Sequence, residues 1–533
     1  MAHLGGLPCN GMATGRDWPA LAIIGTSSVL RISTVTSHYF DRQLAEHPDS
    51  LALTDLASTR SWRELDRNVA ALAHYLATDA NLTPGDHLAM LVGNRVEYME
   101  CLLAGLLTGL WVTPVNTHLT AGEIDYIRRD CGAKLVLHDD AHAELLDASV
   151  AACNIQRELP PIVEEHAGHS VAPTAPAGGN MLYTSGTTGR PKGVKRAKPD
   201  NVEAMIARMC GFGSAFGLTG AGPHLVTGPL YHAAPGLFAT YDLLNGATVI
   251  IMPRWDCATF FRAVREHRVV TTHLVPTMFV RLLEAREQGA QDIDVSSLRH
   301  VLHGAAPISR GVKQRMLDWW GPILTEYWGA TESGVVTLAD SGEWVSHPGT
   351  VGRPIPNFEV YVGDAQGNPV EDAEGLLFCR HRQLASVFHY HEDAEKTRRA
   401  HPQPHVLSLG DIGRVDADGF VYLSDRESNM IISGGVNIYP SEIEQALLEH
   451  ADIADIAVFG IPNDEWGEEV KAVVELRPGL AGDAAIAEDI RRFGRERLAG
   501  FKVPRSVDFV ERLPRNPTGK VLVRQLKAQY ATG

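Results

Sequence analysis

Apolar residues recur at three- and four-residue spacing from Ser61 to Thr78. That period predicts a helix with one face on a core. Ser61 and Glu64 form the capping box that would start it, each side chain satisfying a backbone N–H of the other's turn. The uncharged run Cys101–Val115 contains Gly105, Gly109 and Pro114. It is too short for a bilayer, which needs about 20 residues, and reads as a buried helix turning into a buried strand. Short apolar runs at Leu88–Val92, Lys134–His138, Ala247–Met252, Val269–Leu274 and Leu298–His303 read as strands. Strands separated by helices predict an α/β chain with largely parallel sheets.

The pattern changes near Ile412. An Asp418-Gly419 turn precedes a strand at Phe420–Leu423. A helix at Ser441–His450 opens with a second apparent capping box, Ser441 with Glu444, and strands at Ile456–Phe459 and Val470–Leu476 follow. The expected organisation is an N-terminal extension over 1–33, a large domain over 34–425 with mixed, largely parallel sheets flanked by helices, and a small C-terminal α+β domain over 426–533. The junction is placed near Asp425–Asn429. The segment Trp18–Leu30 lacks a basic start and an A-x-A site, and is not read as a signal peptide.

Composition narrows the function classes. The chain has 533 residues, 44% apolar and 21% charged, which excludes wholesale disorder, collagen and coiled coil. Lys plus Arg is 48 against 64 for Asp plus Glu, a formal charge of −16. That balance argues against a general affinity for nucleic acid or anionic membrane. Seven cysteines without a C-x-x-C pair argue against a disulfide framework or a cysteine-only zinc site, and for a reducing cytoplasm.

The densest chemistry is Leu182-Tyr183-Thr184-Ser185-Gly186-Thr187-Thr188-Gly189-Arg190-Pro191-Lys192-Gly193. Glycines let several N–H groups converge on one anion, hydroxyls add donors, and Lys192 adds charge. The loop suits a polyphosphate, although its spacing is not that of a Walker A motif. Alone, it would sooner be read as a flexible surface loop.

It does not stand alone. Pro229-Leu230-Tyr231-His232, Gly304-Ala305-Ala306-Pro307, Glu326-Tyr327-Trp328-Gly329-Ala330-Thr331-Glu332, Leu409-Gly410-Asp411, Asp425-Arg426, the run Ile431 to Pro440 and Pro517-Thr518-Gly519-Lys520 follow in order. From about Thr34 to Lys527 the chain resembles the AMP-forming adenylating enzymes, and among them the acyl-CoA synthetases. The resemblance implies a two-step reaction. A carboxylate and ATP give an acyl-adenylate and pyrophosphate; coenzyme A then displaces AMP.

The roles it implies fall on matching positions. Thr184, Ser185, Gly186, Thr187, Thr188, Gly189 and Lys192 would hold the phosphates. Thr331 would bind phosphate and Glu332 would ligate Mg²⁺. Gly304, Ala305, Ala306, Glu326, Tyr327, Trp328 and Gly329 would surround the adenine. Asp411 would accept from the ribose hydroxyls, with Arg426 assisting. His232 would sit at the acyl carbonyl, and Lys520 would bridge the carboxylate and the α-phosphate. Ser433, Gly434 and Gly435 would guide the pantetheine arm on a mobile lid that turns at Ser428. Taken alone, Lys520 and Asp411 are ordinary turn residues, and a packed core histidine is the lesser alternative for His232.

Some positions depart from the family. Ser428 stands where the hinge usually carries Asp or Lys, with Asn429 next. Leu409 stands where Thr is usual, with Ser408 before it. The wording Tyr231–Pro235, Glu326–Gly329 and Gly434–Pro440 is similar to ligases of fatty, steroid-side-chain and bile acids. With Ala233, Ala234, Ala305 and Ala306 it implies a roomy pocket for a bulky or long apolar acid. The alternative acceptor is a carrier-protein thiol. The pattern Pro514 to Gly519-Lys520 is similar to the acetylation site of related synthetases and implies regulatory acetylation of Lys520. A homodimer is an assembly the sequence leaves open. His389, His391, His401 and His405, with Glu392 and Asp393, are read as a solvated loop rather than a metal site. The glycine-rich Gly211–Gly217 is given no nucleotide role.

Overall fold

The computed structural model describes residues 39–184, 191–290, 293–371, 374–426, 429–433, 436–463, 466–515 and 521–530. The extension over 1–33, loop residues Ser185, Gly186, Thr187, Thr188 and Gly189, Ser428, Gly434, Gly435 and Lys520 lie outside them; Arg426 is described by its backbone alone.

Among the described residues the strands form four sheets. Ser61 caps the helix Trp62–Thr78 with both halves of the box formed. The helix Val96–Leu107 is buried on every face and leads into the strand Trp111–Pro114. Gly105 is needed there, because an added Cβ would lie 2.6 Å from Val112. The strands His87–Leu91, Trp111–Pro114, Ala133–His138, Ala152–Asn154 and Gly179–Thr184 run parallel in a seven-stranded sheet. Lys192–Arg196 and Phe388–Tyr390 continue it antiparallel.

A nine-stranded sheet has a parallel centre: Leu51–Thr54, Val249–Ile251, His224–Val226, Thr271–Leu274, His300–His303 and Leu324–Ala330. A third, antiparallel sheet holds Phe358–Val362, Gly375–His381, Val406–Val415 and Val421–Arg426. The next strand, Ile431–Ser433, already belongs to the fourth sheet with Val436–Ile438, Ile453–Asn463, Gly467–Leu476 and Ser506–Val510. The chain is thus mixed α/β, with a large body and a smaller α+β unit behind it.

Two local expectations are corrected. The helix expected from Ser441 is Pro440–Leu447, and no side chain caps it. The Ser441 N–H donates to Asp425 Oδ2 at 2.8 Å, and Glu444 Oε1 accepts from the Val458 N–H at 2.8 Å. Both members of the supposed box are drawn off by partners distant in sequence. The histidine-rich stretch is not a solvated loop but the strand Phe388–Tyr390 followed by the helix Ala394–Ala400. His401 Nδ1 bonds the Thr397 carbonyl at 3.0 Å and His405 Nδ1 the His381 carbonyl at 3.2 Å. The glycine-rich Gly211–Gly217 lies largely within the helix Val202–Ala215.

Candidate active site

Parallel sheets collect chemistry at the carboxyl ends of their strands, where loops turn toward the helices. A cavity of about 750 Å³ opens there, walled by three of the sheets and by the helices Val202–Ala215 and Ala233–Leu244. Thr184, Ala305, Tyr327, Gly329, Thr331, Glu332 and His232 all line it.

The phosphate-loop candidate joins two antiparallel strands. Thr184, which precedes the candidate loop, pairs with Lys192, which follows it. Lys192 Nζ lies 4.0 Å from Asp393 Oδ2.

Opposite stands a second hairpin, Leu324–Ala330 with Gly334–Asp340, and Thr331-Glu332-Ser333 is its turn. Ser333 Oγ accepts from the Ala330 N–H at 3.1 Å, which fixes the turn. Gly329 has to be glycine, because an added Cβ would lie 2.0 Å from the Gly334 carbonyl. Glu332 Oε1 accepts a hydrogen bond of 3.0 Å from the Tyr390 hydroxyl. Its carboxylate thus faces the cavity beside a threonine hydroxyl. Such oxygen donors fit the hard ion Mg²⁺.

Period-2 alternation splits the Glu326–Trp328 strand. The Tyr327 ring enters the cavity, and its hydroxyl lies 3.0 Å from His273 Nε2. Glu326 was expected at the nucleotide, but its side chain does not line the cavity. Its buried carboxylate bonds Lys313 Nζ on the helix Arg310–Trp320. Trp328 is also outside the lining; its indole N–H donates to Asp411 Oδ2 at 2.8 Å. Asp411 in turn pairs across the sheet with the backbone of Arg426.

Gly304 and Ala306 are likewise outside the lining. The space at Gly304 is taken by Tyr327, whose carbonyl and ring would lie 2.6–2.9 Å from an added Cβ. Ala305 does line the cavity, in a left-handed conformation with φ 67° that few non-glycine residues adopt.

His232 sits at the N-terminal end of the helix Ala233–Leu244, and its Nε2 has no hydrogen-bond partner. Burial, and then the nearby His118, push its pKa down to about 4. It is neutral at physiological pH and presents the cavity with an uncharged ring. Ser408, Leu409 and Gly410 line the cavity too, so a hydroxyl remains beside the position where Leu409 replaces the usual threonine. Ser433 ends a strand of the fourth sheet and pairs with Val436 and Gly467, away from the lining.

Four contributors were missed in the sequence. Tyr390 orients Glu332, and His273 orients Tyr327. Arg196 and Arg208 bring two guanidiniums to the cavity, beside Tyr241, Phe212 and Phe216. Burial, and then Arg196, lower the pKa of Arg208. Neither arginine has a carboxylate partner among the described residues. Only proximity in space gives these residues a role, and no local spacing announced it.

The AMP-binding enzyme profile matches residues 40–389, and that of the AMP-binding enzyme C-terminal domain matches 442–520. The chain belongs to the AMP-binding enzyme family. Within it, it is an AMP-forming acyl-CoA synthetase, an acid–thiol ligase. It is 33% identical to a feruloyl-CoA synthase of an Amycolatopsis species, over 92% of this chain and 98% of the relative. It is 31% identical to a Rhodococcus jostii 3-[(3aS,4S,7aS)-7a-methyl-1,5-dioxo-octahydro-1H-inden-4-yl]propanoyl:CoA ligase, over 93% and 99%. ATP-bound MatB from Rhodopseudomonas palustris superposes with a TM-score of 0.82 at 25% identity, covering 93% of this chain and 99% of that one. The o-succinylbenzoate CoA synthetase of Bacillus subtilis, solved with its acyl-adenylate, gives 0.78 at 26%, covering 92% and 98%.

Proposed function

We propose that the chain activates a carboxylic acid with a bulky or long apolar body as its acyl-AMP, releases pyrophosphate, and passes the acyl group to coenzyme A in the cytoplasm. The observation that carries this reading is one cavity with two kinds of wall. Thr184, Thr331 and Glu332 supply polar oxygens on one side. The helices Val202–Ala215 and Ala233–Leu244 supply Phe212, Leu237 and Phe238 on the other, with Phe216 at the C-cap of the first.

In this reading the glycine- and hydroxyl-rich segment between Thr184 and Lys192 holds the phosphates. Tyr327, fixed through His273, flanks the adenine, and Asp411, fixed through Trp328, faces the ribose. Glu332 holds Mg²⁺, which offsets phosphate charge when bound. Neutral His232 borders the acyl carbonyl without adding charge there. Lys520 draws the carboxylate and α-phosphate together. Ser433, Gly434 and Gly435 guide the thiol.

The two guanidiniums refine the acid. Arg196 is half-buried; Arg208 is exposed and donates to the Ala197 carbonyl at 3.0 Å. Guanidiniums that line a cavity without a protein carboxylate favour a ligand that supplies acceptor oxygens. The acid therefore carries a carbonyl, hydroxyl or carboxylate oxygen far from the reacting carboxyl. The dioxo acid named for the Rhodococcus relative has this pattern.

The test is pyrophosphate and AMP release across a panel of acids, with and without coenzyme A, with mass detection of products. Acyl-CoA formed only when CoA is present supports the ligase. Accumulating acyl-AMP that ignores CoA favours a carrier-protein acceptor, the acceptor named for a 30% identical fatty acid–[acyl-carrier-protein] ligase of Streptomyces coeruleorubidus. Lys520→Ala should abolish adenylation while largely sparing thioester formation from supplied acyl-AMP. Equal loss in both steps would remove Lys520 from its role.

A further inference from the structure

Outside the lining of the cavity, two helices end side by side. Trp62–Thr78 has Asp79 as its C-cap, and Ile155–Glu165 has His166 as its C-cap. Both helix dipoles present their negative ends at this place, which favours a cation. Donor atoms of Asp79, Glu165 and His166 lie within 4.8 Å of one another.

His166 is the informative member. Its side chain is only 7% exposed, yet its Nε2 has no hydrogen-bond partner. Nε2 points at Asp79 Oδ2 across 3.6 Å, beyond a good hydrogen bond. Its Nδ1 lies 2.9 Å from His74 Nδ1, and His74 is stacked on His169 with ring centroids 3.5 Å apart. One proton is shared across the Nδ1 pair. With that proton on His166 Nδ1, the Nε2 lone pair faces two carboxylates. A ligating histidine has this arrangement, one nitrogen oriented by a hydrogen bond and the other open to the metal.

The other such group among the described residues, His450 with Asp452 and Asp489, offers a contrast. His450 Nε2 lies 3.2 Å from Asp489 Oδ2, and its Nδ1 accepts from the Asp452 N–H at 3.2 Å. Both ring nitrogens are satisfied, and no lone pair is left to offer.

The geometry points to a structural site for a divalent transition ion of the zinc class, held by His166 Nε2 and the carboxylates of Asp79 and Glu165, with water completing the shell and His74 as the orienting partner. Imidazole with carboxylate selects such an ion over Mg²⁺ or Ca²⁺, which prefer all-oxygen shells. The ion ties the ends of two helices of the large domain and takes no part in acyl transfer.

The test uses untagged full-length protein, stripped with chelator and dialysed against Zn²⁺ without nucleotide. One equivalent of zinc should be retained by the wild type and by Glu332→Gln. Affinity should fall about tenfold or more in Asp79→Asn and in Glu165→Gln, both exposed positions that tolerate the change, and in His74→Ala. Zinc should also raise the thermal midpoint of the wild type by about 2 °C or more and leave the Asp79→Asn midpoint unmoved. Zinc retained equally by these three variants, or not retained by the wild type, would overturn the site.

Discussion

The hydroxyl of Tyr390 donates a 3.0 Å hydrogen bond to Glu332 Oε1, joining two strand systems at the cavity. Tyr390 ends the strand that pairs with Lys192–Arg196, and Glu332 is the turn of the opposing hairpin. The turn that carries Glu332 is thus tied by one bond to the sheet that carries Thr184 and Lys192.

Tyr390→Phe should therefore slow adenylation more than it disturbs folding. A hydrogen bond to a charged group contributes about 1.5–3 kcal/mol, so pyrophosphate release should fall about tenfold or more and require more Mg²⁺. Rapid-quench measurement of the first half-reaction checks this. A normal rate at every Mg²⁺ concentration would separate Tyr390 from Glu332.

Arg208→Met should change which acids are accepted. The ratio of kcat/KM for an acid bearing a distal oxygen to that for its deoxygenated analogue should drop about tenfold, with the analogue improving. Arg208→Lys should restore part of the ratio. An unchanged ratio in the wild type and both variants would leave the guanidiniums as surface charge, while AMP release itself would still support the ligase.

Several buried histidines set an acid limit on stability. Burial, as the first cause, brings His232 and His87 down to about 4 and His273 to about 3. The unfolded chain takes up these protons near pH 6.5, whereas the folded protein does not. Their contribution is complete above about pH 6.5 and is lost as pH falls toward 4–3. Urea midpoints should decline through that window, and His232→Gln should lessen the decline. The same shift predicts no limb from His232 near pH 6.5 in the kcat/KM profile. Such a limb vanishing in His232→Gln would contradict a neutral ring.

Asp425 stands next to last in the strand that closes the third sheet and bonds the unit that follows it. Its carboxylate accepts from the Ser441 N–H at 2.8 Å and from Asn429 Nδ2 at 3.2 Å. Asp425→Ala should unbalance the two half-reactions and leave ATP affinity nearly intact. Single-turnover rates for both steps, beside an ATP titration, check this; identical step rates would count against Asp425 as a pivot.

What the sequence determined by itself is local or carried by ordered motifs. The box of Ser61 with Glu64 closes within one turn, so its outcome was readable. The uncharged run from Cys101 to Val115 left burial as its stable state, and it lies in a buried helix and the strand that follows.

The tertiary structure decided where competing partners were distant. Ser441 and Glu444 have the spacing of a capping box, but Asp425 and Val458 reach them first. Burial then pushes the Glu444 carboxyl up to about 8. Glu326 sits among motif residues yet turns to Lys313, since strand alternation sends it to the face opposite Tyr327. Tyr390 and Arg208 gained their roles from packing elements far apart in the chain. A polar side chain is committed by whichever partner the fold brings within about 3 Å, and sequence spacing fixes that partner only within a turn or two.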